Sequence, residues 1–228
     1  MRLEQDNNKY LTMKSIRFIS IVAALVCNCL MSMSQNYVEA PLTNAQKEEI
    51  KLRVKQKCDD FQTHLKDVAD IQLSSNNRDE ALIATKVLFI GECDPYKYYN
   101  LSNQRFETDT VKLWTSSKYT QKKKKNYTGR YLRTLRNMIR GQYNKILIEQ
   151  AGAVRVDNIY PTGNGEYECM AYIAQKFIGF GAEGRIKYQD FTTKKVRVKI
   201  RKIEIPTPDG TQNVWDAKLE NIYALETK

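Results

Sequence analysis

Histidine is almost absent from this chain: His64 stands alone among 228 residues. A catalytic triad, a histidine metal site or a histidine proton shuttle would each have to be assembled around that single ring. His64 follows Phe61 by three positions and sits between Thr63 and Leu65, where a place on or partly under a helix surface is expected rather than catalysis. Also missing are a Gly-x-Ser-x-Gly elbow, a His-Glu-x-x-His pair, a glycine-rich phosphate loop and a calcium loop. Cysteine is sparse, five in all, and Cys58, Cys93 and Cys169 are far apart with no Cys-x-x-Cys spacing. A zinc site and a disulfide-dense scaffold are thereby set aside. Three buried thiols are expected, one bridge with a leftover thiol being the alternative. No metal, no cofactor and no catalytic residue is assigned.

Long apolar runs are lacking too, with one exception. Ile16 to Met33 carries no charge after Arg17 and is opened by Lys14 and Arg17. A basic start, a short apolar stretch and the small residues Ser32 and Ser34 describe a secretory signal peptide cleaved after Ser34, with Met13 as the natural start. Residues 1–34 are therefore read as an N-terminal extension plus signal peptide, and 35–228 as one domain. Two rival readings use the same segment: a marginal membrane span, or a lipid-bearing Cys27 or Cys29, against which stands the absence of a small residue just before either. The expected location is the periplasm, the outer membrane or the cell exterior.

What is abundant is positive charge. The chain holds 37 Lys and Arg against 26 Asp and Glu. Residues 1–34 carry four of those cations and two of the anions, so +9 of the net +11 stays with the domain. Such a surface attracts anionic partners through a screened field: an acidic protein, a glycan, a small anionic ligand, or a membrane if the leader is retained. Export leaves nucleic acid the least available, and an oligomer is compatible with the composition. Apolar content of 42% and charged content of 28% suit one ordinary globular core.

Along the domain, Thr43 or Asn44 can cap a helix whose face Ile50, Val54, Cys58, Phe61, Leu65 and Val68 define over about six turns. Asn76 to Arg78 reads as a break, and Asp79 to Phe89 as a second helix ending at Gly91. Tyr96, Tyr98 and Tyr99 fall in an irregular stretch after Asp94-Pro95, their rings expected to pack over the domain, with a binding surface as the alternative. Phe106 to Ser116 suits a strand, Lys118 to Asn126 a solvated loop, and Thr128 to Ile139 a third helix closed by Gly141. From there the pattern is β: Tyr143 to Tyr160, Glu166 to Phe180, Arg185 to Ile205 and Gln212 to Ala224, joined by turn-rich segments that make a four-stranded meander. The expected class is α+β, three helices packed on a curved antiparallel sheet.

This order resembles the nuclear transport factor two-like (cystatin-like) cone. The likeness is carried by a lysine-rich loop before Tyr131-Leu-Arg-Thr-Leu-Arg136, by Tyr143-Asn-Lys-Ile-Leu-Ile148, by Gln175-Lys-Phe-Ile-Gly-Phe180 and by Val214-Trp-Asp-Ala-Lys-Leu219. More narrowly, the chain looks like small exported domains of that fold in Bacteroidetes, and the likeness spans roughly residues 43 to 225. The resemblance implies a conical pocket between helices and sheet, which some members use for catalysis and many for docking. Isomerase and dehydratase members place an aspartate there, and no aspartate of this chain aligns to that motif.

Candidate sites follow from charge. Lys195, Arg197, Lys199 and Arg201 alternate with Val196, Val198 and Ile200 and form a basic stripe on one strand face, either solvated or docking an anion. The carboxylates Glu92 with Asp94, Asp157, and Glu166 with Glu168 could act as acid and base, but lying at element ends or in turns they are read as solvent-facing residues. Asp109-Thr110-Val111 resembles an acceptor for O-linked glycan at Thr110. The resulting expectation is an exported, non-enzymatic binding domain. Its alternatives are an isomerase- or dehydratase-like enzyme, and a membrane-tethered component of a secretion or conjugation apparatus. A buried aspartate aimed into the pocket, its carboxyl raised by desolvation, would favour the enzyme.

Overall fold

The computed structural model describes residues 41–228 except 101, 120–121, 139–142, 164 and 209. The leader, with Cys27 and Cys29, and the helix end at Gly141 lie outside the described residues. Helix α1 (Asn44–Ala69) starts at a capping box: the Thr43 amide donates to Gln46 Oε1 at 2.9 Å, and the Gln46 amide donates to Thr43 Oγ1 at 3.2 Å. Its apolar face is the expected one, with Ile50, Val54, Cys58, Phe61, Leu65 and Val68 all removed from solvent. Each such side chain contributes about 1.5–3 kcal/mol by leaving water.

Helix α2 (Ser75–Val87) begins four residues before the expected Asp79 because Ser74 Oγ accepts from the Asn77 amide, which turns the supposed break into a first helical turn. The chain then tightens through Gly91, Glu92 and Cys93 at φ 60, 51 and 68°. A Cβ at Gly91 would lie 2.9 Å from the Tyr96 Cβ, so glycine is needed for both conformation and space. Helix α3 (Thr128–Met138) buries Leu132 and Leu135.

Ten strands follow the sequence: β1 (Tyr96–Asn100), β2 (Arg105–Asp109), β3 (Lys112–Thr115), β4 (Lys124–Tyr127), β5 (Lys145–Gln150), β6 (Arg155–Val156), β7 (Tyr160–Gly163), β8 (Glu166–Phe180), β9 (Ile186–Thr207) and β10 (Gly210–Thr227). The main sheet runs β4-β3-β10-β9-β8-β5, with β6 and β7 also paired to β8. Its pairings are antiparallel except β3 with β10, which is parallel and sets Leu113 beside Ile222. The described residues are thus α+β, three helices with a mostly antiparallel sheet. The described part from Leu42 onward forms one compact unit around one core. Helix α1 packs on β10, β5 and β8, and α3 on β3 and β4. No helix among the described residues is long and apolar enough to cross a membrane.

Several expectations are corrected. Tyr96 to Asn100 is a strand, paired with β2 in a separate two-stranded ribbon. Tyr96 packs on the core, whereas Tyr98 and Tyr99 face outward and Tyr99 meets Phe106 edge-on at 5.3 Å. Phe106 to Ser116 is two strands, broken where Asp109 turns back to bind the Thr110 amide and Lys112. Residues 124–126 leave the expected loop to form the edge strand β4, registered on β3. Tyr143 to Tyr160 is three short strands, because the partner β8 passes from β5 to β6 to β7 along its length. Cys58, Cys93 and Cys169 are buried free thiols, as expected.

Candidate functional site

The strongest alternation in the chain organises the site. Along β9, Asp190, Thr192, Lys194, Val196, Val198 and Ile200 are buried, and the residues between them are not. Two-residue periodicity forces all six onto one face. Toward the C-terminal end of that run the face is apolar core. Toward its start the same face carries an ammonium, a hydroxyl and a carboxylate.

Those polar residues line a cavity of about 850 Å³ walled by α3, β3, β4, β8 and β9. Lys194 is 5% exposed, Gln175 5%, Thr192 6% and Asp190 8%. The Lys194 ammonium donates to Gln175 Oε1. That bond leaves Gln175 Nε2 buried without a hydrogen-bond partner among the described residues. Tyr188 donates to Asp190 Oδ2 at 2.5 Å, and its hydroxyl lies 3.2 Å from Ser117 Oγ. Tyr131, Tyr143 and Phe177 supply aromatic wall, with the Tyr143 ring edge-on to Phe177 at 6.0 Å. That ring lies over Gly179, where a Cβ would come within 2.4 Å of it. The cavity mouth adds Lys112, Lys124, Lys125 and Arg130, so five cations line it against the single carboxylate of Asp190.

The electrostatics follow from burial. Desolvation pulls the Lys194 ammonium down to about 8, against the Asp190 charge that favours its protonated form. Desolvation likewise pushes the Asp190 carboxyl up, against the Tyr188 hydrogen bond and the charges of Lys194 and Lys118. Tyr131 is pushed up to about 12 by desolvation. The site therefore holds an amine and a carboxylic acid, both displaced toward neutral pH. Comparison with family models, curated proteins and solved structures finds no match.

The basic stripe behaves differently from the cavity. Lys195, Arg197, Lys199 and Arg201 do share the opposite face of β9. Arg197 Nη2 donates to Glu168 Oε2 at 2.7 Å, and its Nε lies 3.3 Å from Glu220 Oε2. Lys199 Nζ is 3.6 Å from the same Glu168 oxygen. Arg201 is registered between Glu166 and Asp216. Three of the four cations thus face carboxylates of neighbouring strands, which cancels much of the field. Glu168, expected at an element end facing solvent, instead lies inside β8. Burial alone would raise its carboxyl, but Arg197 and Lys199 hold it below the usual range.

The remaining candidates are scattered. His64 is half-buried on α1. Glu92 and Asp94 are exposed, Asp94 lying 3.7 Å from Lys86, and Asp157 lies 3.8 Å from Arg155. Thr110 sits half-buried between β2 and β3. No cluster of three or more metal-binding side chains occurs among the described residues. Sequence reasoning missed Asp190, Gln175 and Lys194. The available signal was parity: continuing the Val196, Val198, Ile200 alternation backward puts Lys194, Thr192 and Asp190 on the core face.

Proposed function

We propose that this is an exported domain of the nuclear transport factor two-like kind that binds a small organic anion in the cavity beside α3. One observation carries this reading: the buried Lys194 ammonium and Gln175 amide line the cavity side by side, and Gln175 Nε2 has no acceptor among the described residues. An unpaired buried donor costs about 1–3 kcal/mol, which an incoming carboxylate, sulfonate or phosphate oxygen would offset. The cationic mouth favours the same charge, the aromatic wall favours a ligand with an apolar body, and the volume lies within the roughly 300–1,000 Å³ of small-molecule sites. The balanced charges around the stripe make it the poorer anion surface. Export rests on the basic and apolar character of residues 14–33, and sequencing the mature N-terminus tests its cleaved form: a chain beginning after Ser34 supports a signal peptide, an intact Met13 removes it in favour of a retained leader.

The ligand reading is tested by thermal unfolding with benzoate, phenyl phosphate, benzyl alcohol and benzylamine. A ligand at 100 times its Kd adds about 2.7 kcal/mol. Benzoate and phenyl phosphate should raise Tm, the neutral and cationic analogues should not, and Lys194→Met should abolish the shift. Equal responses to all four probes would dismiss the proposal.

Asp190 favours a second reading, acid–base chemistry of the isomerase or dehydratase kind. A carboxyl that is buried, raised and bonded to a tyrosine inside a cavity meets the requirement for a tuned acid or base. Exchange of carbon-bound protons of cyclohexanone-4-carboxylate into D₂O, lost in Asp190→Asn, would support this reading; no exchange over background would remove it.

A further inference from the structure

Lys194 is more than a positive charge for an anion to approach. Lys194 lines the cavity, its amine donates to one side-chain acceptor, Gln175 Oε1, and it shares its strand face with an acid and a phenol, Asp190 and Tyr188. We propose that Lys194 is a nucleophile that forms an imine with a carbonyl group carried by the anionic ligand. The ligand class is then an oxo acid: a carboxylate for the Gln175 amide and the cationic mouth, and an aldehyde or ketone for the Lys194 nitrogen. This inference rests on the anion-binding reading and names its substrate class.

The step balances without any other reactant. The neutral Lys194 amine donates its lone pair to the carbonyl carbon, and the C=O π pair moves onto oxygen. The nitrogen loses one proton and the alkoxide oxygen gains it, relayed through solvent and the Asp190 carboxylate, giving a neutral carbinolamine. The remaining N–H proton passes by the same route to the hydroxyl, which leaves as water as the C=N bond forms. One water is released, and Asp190 ends as it began. Burial prepares the amine for this: with a pKa of about 8 it is neutral in roughly one-tenth of molecules at pH 7, against about 0.04% for a freely solvated lysine. Burial raises the Asp190 carboxyl, which favours its taking up a proton in passing.

The test uses the full chain, pyruvate as the probe and cyanoborohydride as the trap at pH 7, with peptide mass mapping. Lys194 should acquire a carboxyethyl group at least about tenfold faster than exposed lysines such as Lys47 and Lys123, and benzoate should slow Lys194 alone. Lys194→Arg, which cannot form the imine, should lose the fast modification while the exposed lysines react as before. If benzoate binds while Lys194 is modified no faster than the surface lysines, the imine is overturned and the anion site stands. If benzoate does not bind and Lys194 stays unmodified, both fall. Should the arginine variant fail to fold, the benzoate competition on the wild-type chain decides alone.

Discussion

Gln175 on β8 and Lys194 on β9 meet diagonally across the strand pair, Gln175 standing opposite Thr192 and Lys194 opposite Ile173. The lysine donates to the amide oxygen and leaves the amide nitrogen unpaired. A charged group and an unsatisfied donor sit together on a core face, an arrangement that costs folding free energy and is therefore concentrated at functional sites. Its consequences can be measured.

The first is pH dependence of stability. Lys194 binds its proton less tightly when folded than when unfolded, so the unfolded chain holds more protons between about pH 8 and 10.5. Stability from this group therefore rises as pH climbs through that window and is lowest below it. Wild type minus Lys194→Met should gain about 3 kcal/mol between pH 7.5 and 10.5, read by urea unfolding. Subtracting the variant removes the opposing titrations of buried thiols and phenols. A difference that stays flat would mean that the amine is solvated.

A second expectation concerns the cavity wall. Gly179→Ala places a methyl group against the Tyr143 ring, which must move. A loss of about 1–3 kcal/mol is expected, together with weaker benzoate binding. Gly184→Ala is the control: at φ +71° with nothing within 4 Å, it should cost only its backbone strain, about 1–2 kcal/mol, and leave binding unchanged.

On the opposite face, Arg197 bridges Glu168 and the buried Glu220. Arg197→Ala leaves both carboxylates without that partner. Because the pair is partly solvated, a loss of about 1–2 kcal/mol at pH 7 is expected, below the cost of a fully buried break. Glu220 is already raised by burial. An acid raised in the folded state loses stability as pH climbs through its titration, so the penalty should shrink toward pH 4. Adding Glu168→Gln should recover part of it.

The thiols give a fourth check. Cys58, Cys93 and Cys169 are each pushed up to about 12 by burial. Iodoacetamide at pH 8 should leave these three unmodified in the native chain and modify all three in urea, since only the thiolate reacts. Rapid native labelling of any one would place it in an opening segment.

The family resemblance and the leader remain proposals of the sequence, but much of the architecture was legible in it. Local periodicity suffices for α1, whose six buried positions recur at helical spacing, and for β8 to β10, whose turns are written in Gly and Pro. It failed where an element is defined by its partner. Residues 124–126 become a strand only because β3 offers a free edge, and the run 143–160 breaks because β8 changes partners along its length.

The site divides in the same way. Side-chain parity along β9 is a property of the extended chain itself, so the burial of Lys194 and Asp190 was implicit in the order of residues. Whether that buried stretch meets packed core or open space depends on where α3 and β4 come to rest. Their approach brings Arg130, Tyr131 and Lys124 to the cavity across long stretches of chain. Sequence alone determined which residues could share a face. Only tertiary packing decided that this face would enclose a cationic cavity, because desolvation and charge balance depend on neighbours that local spacing does not specify.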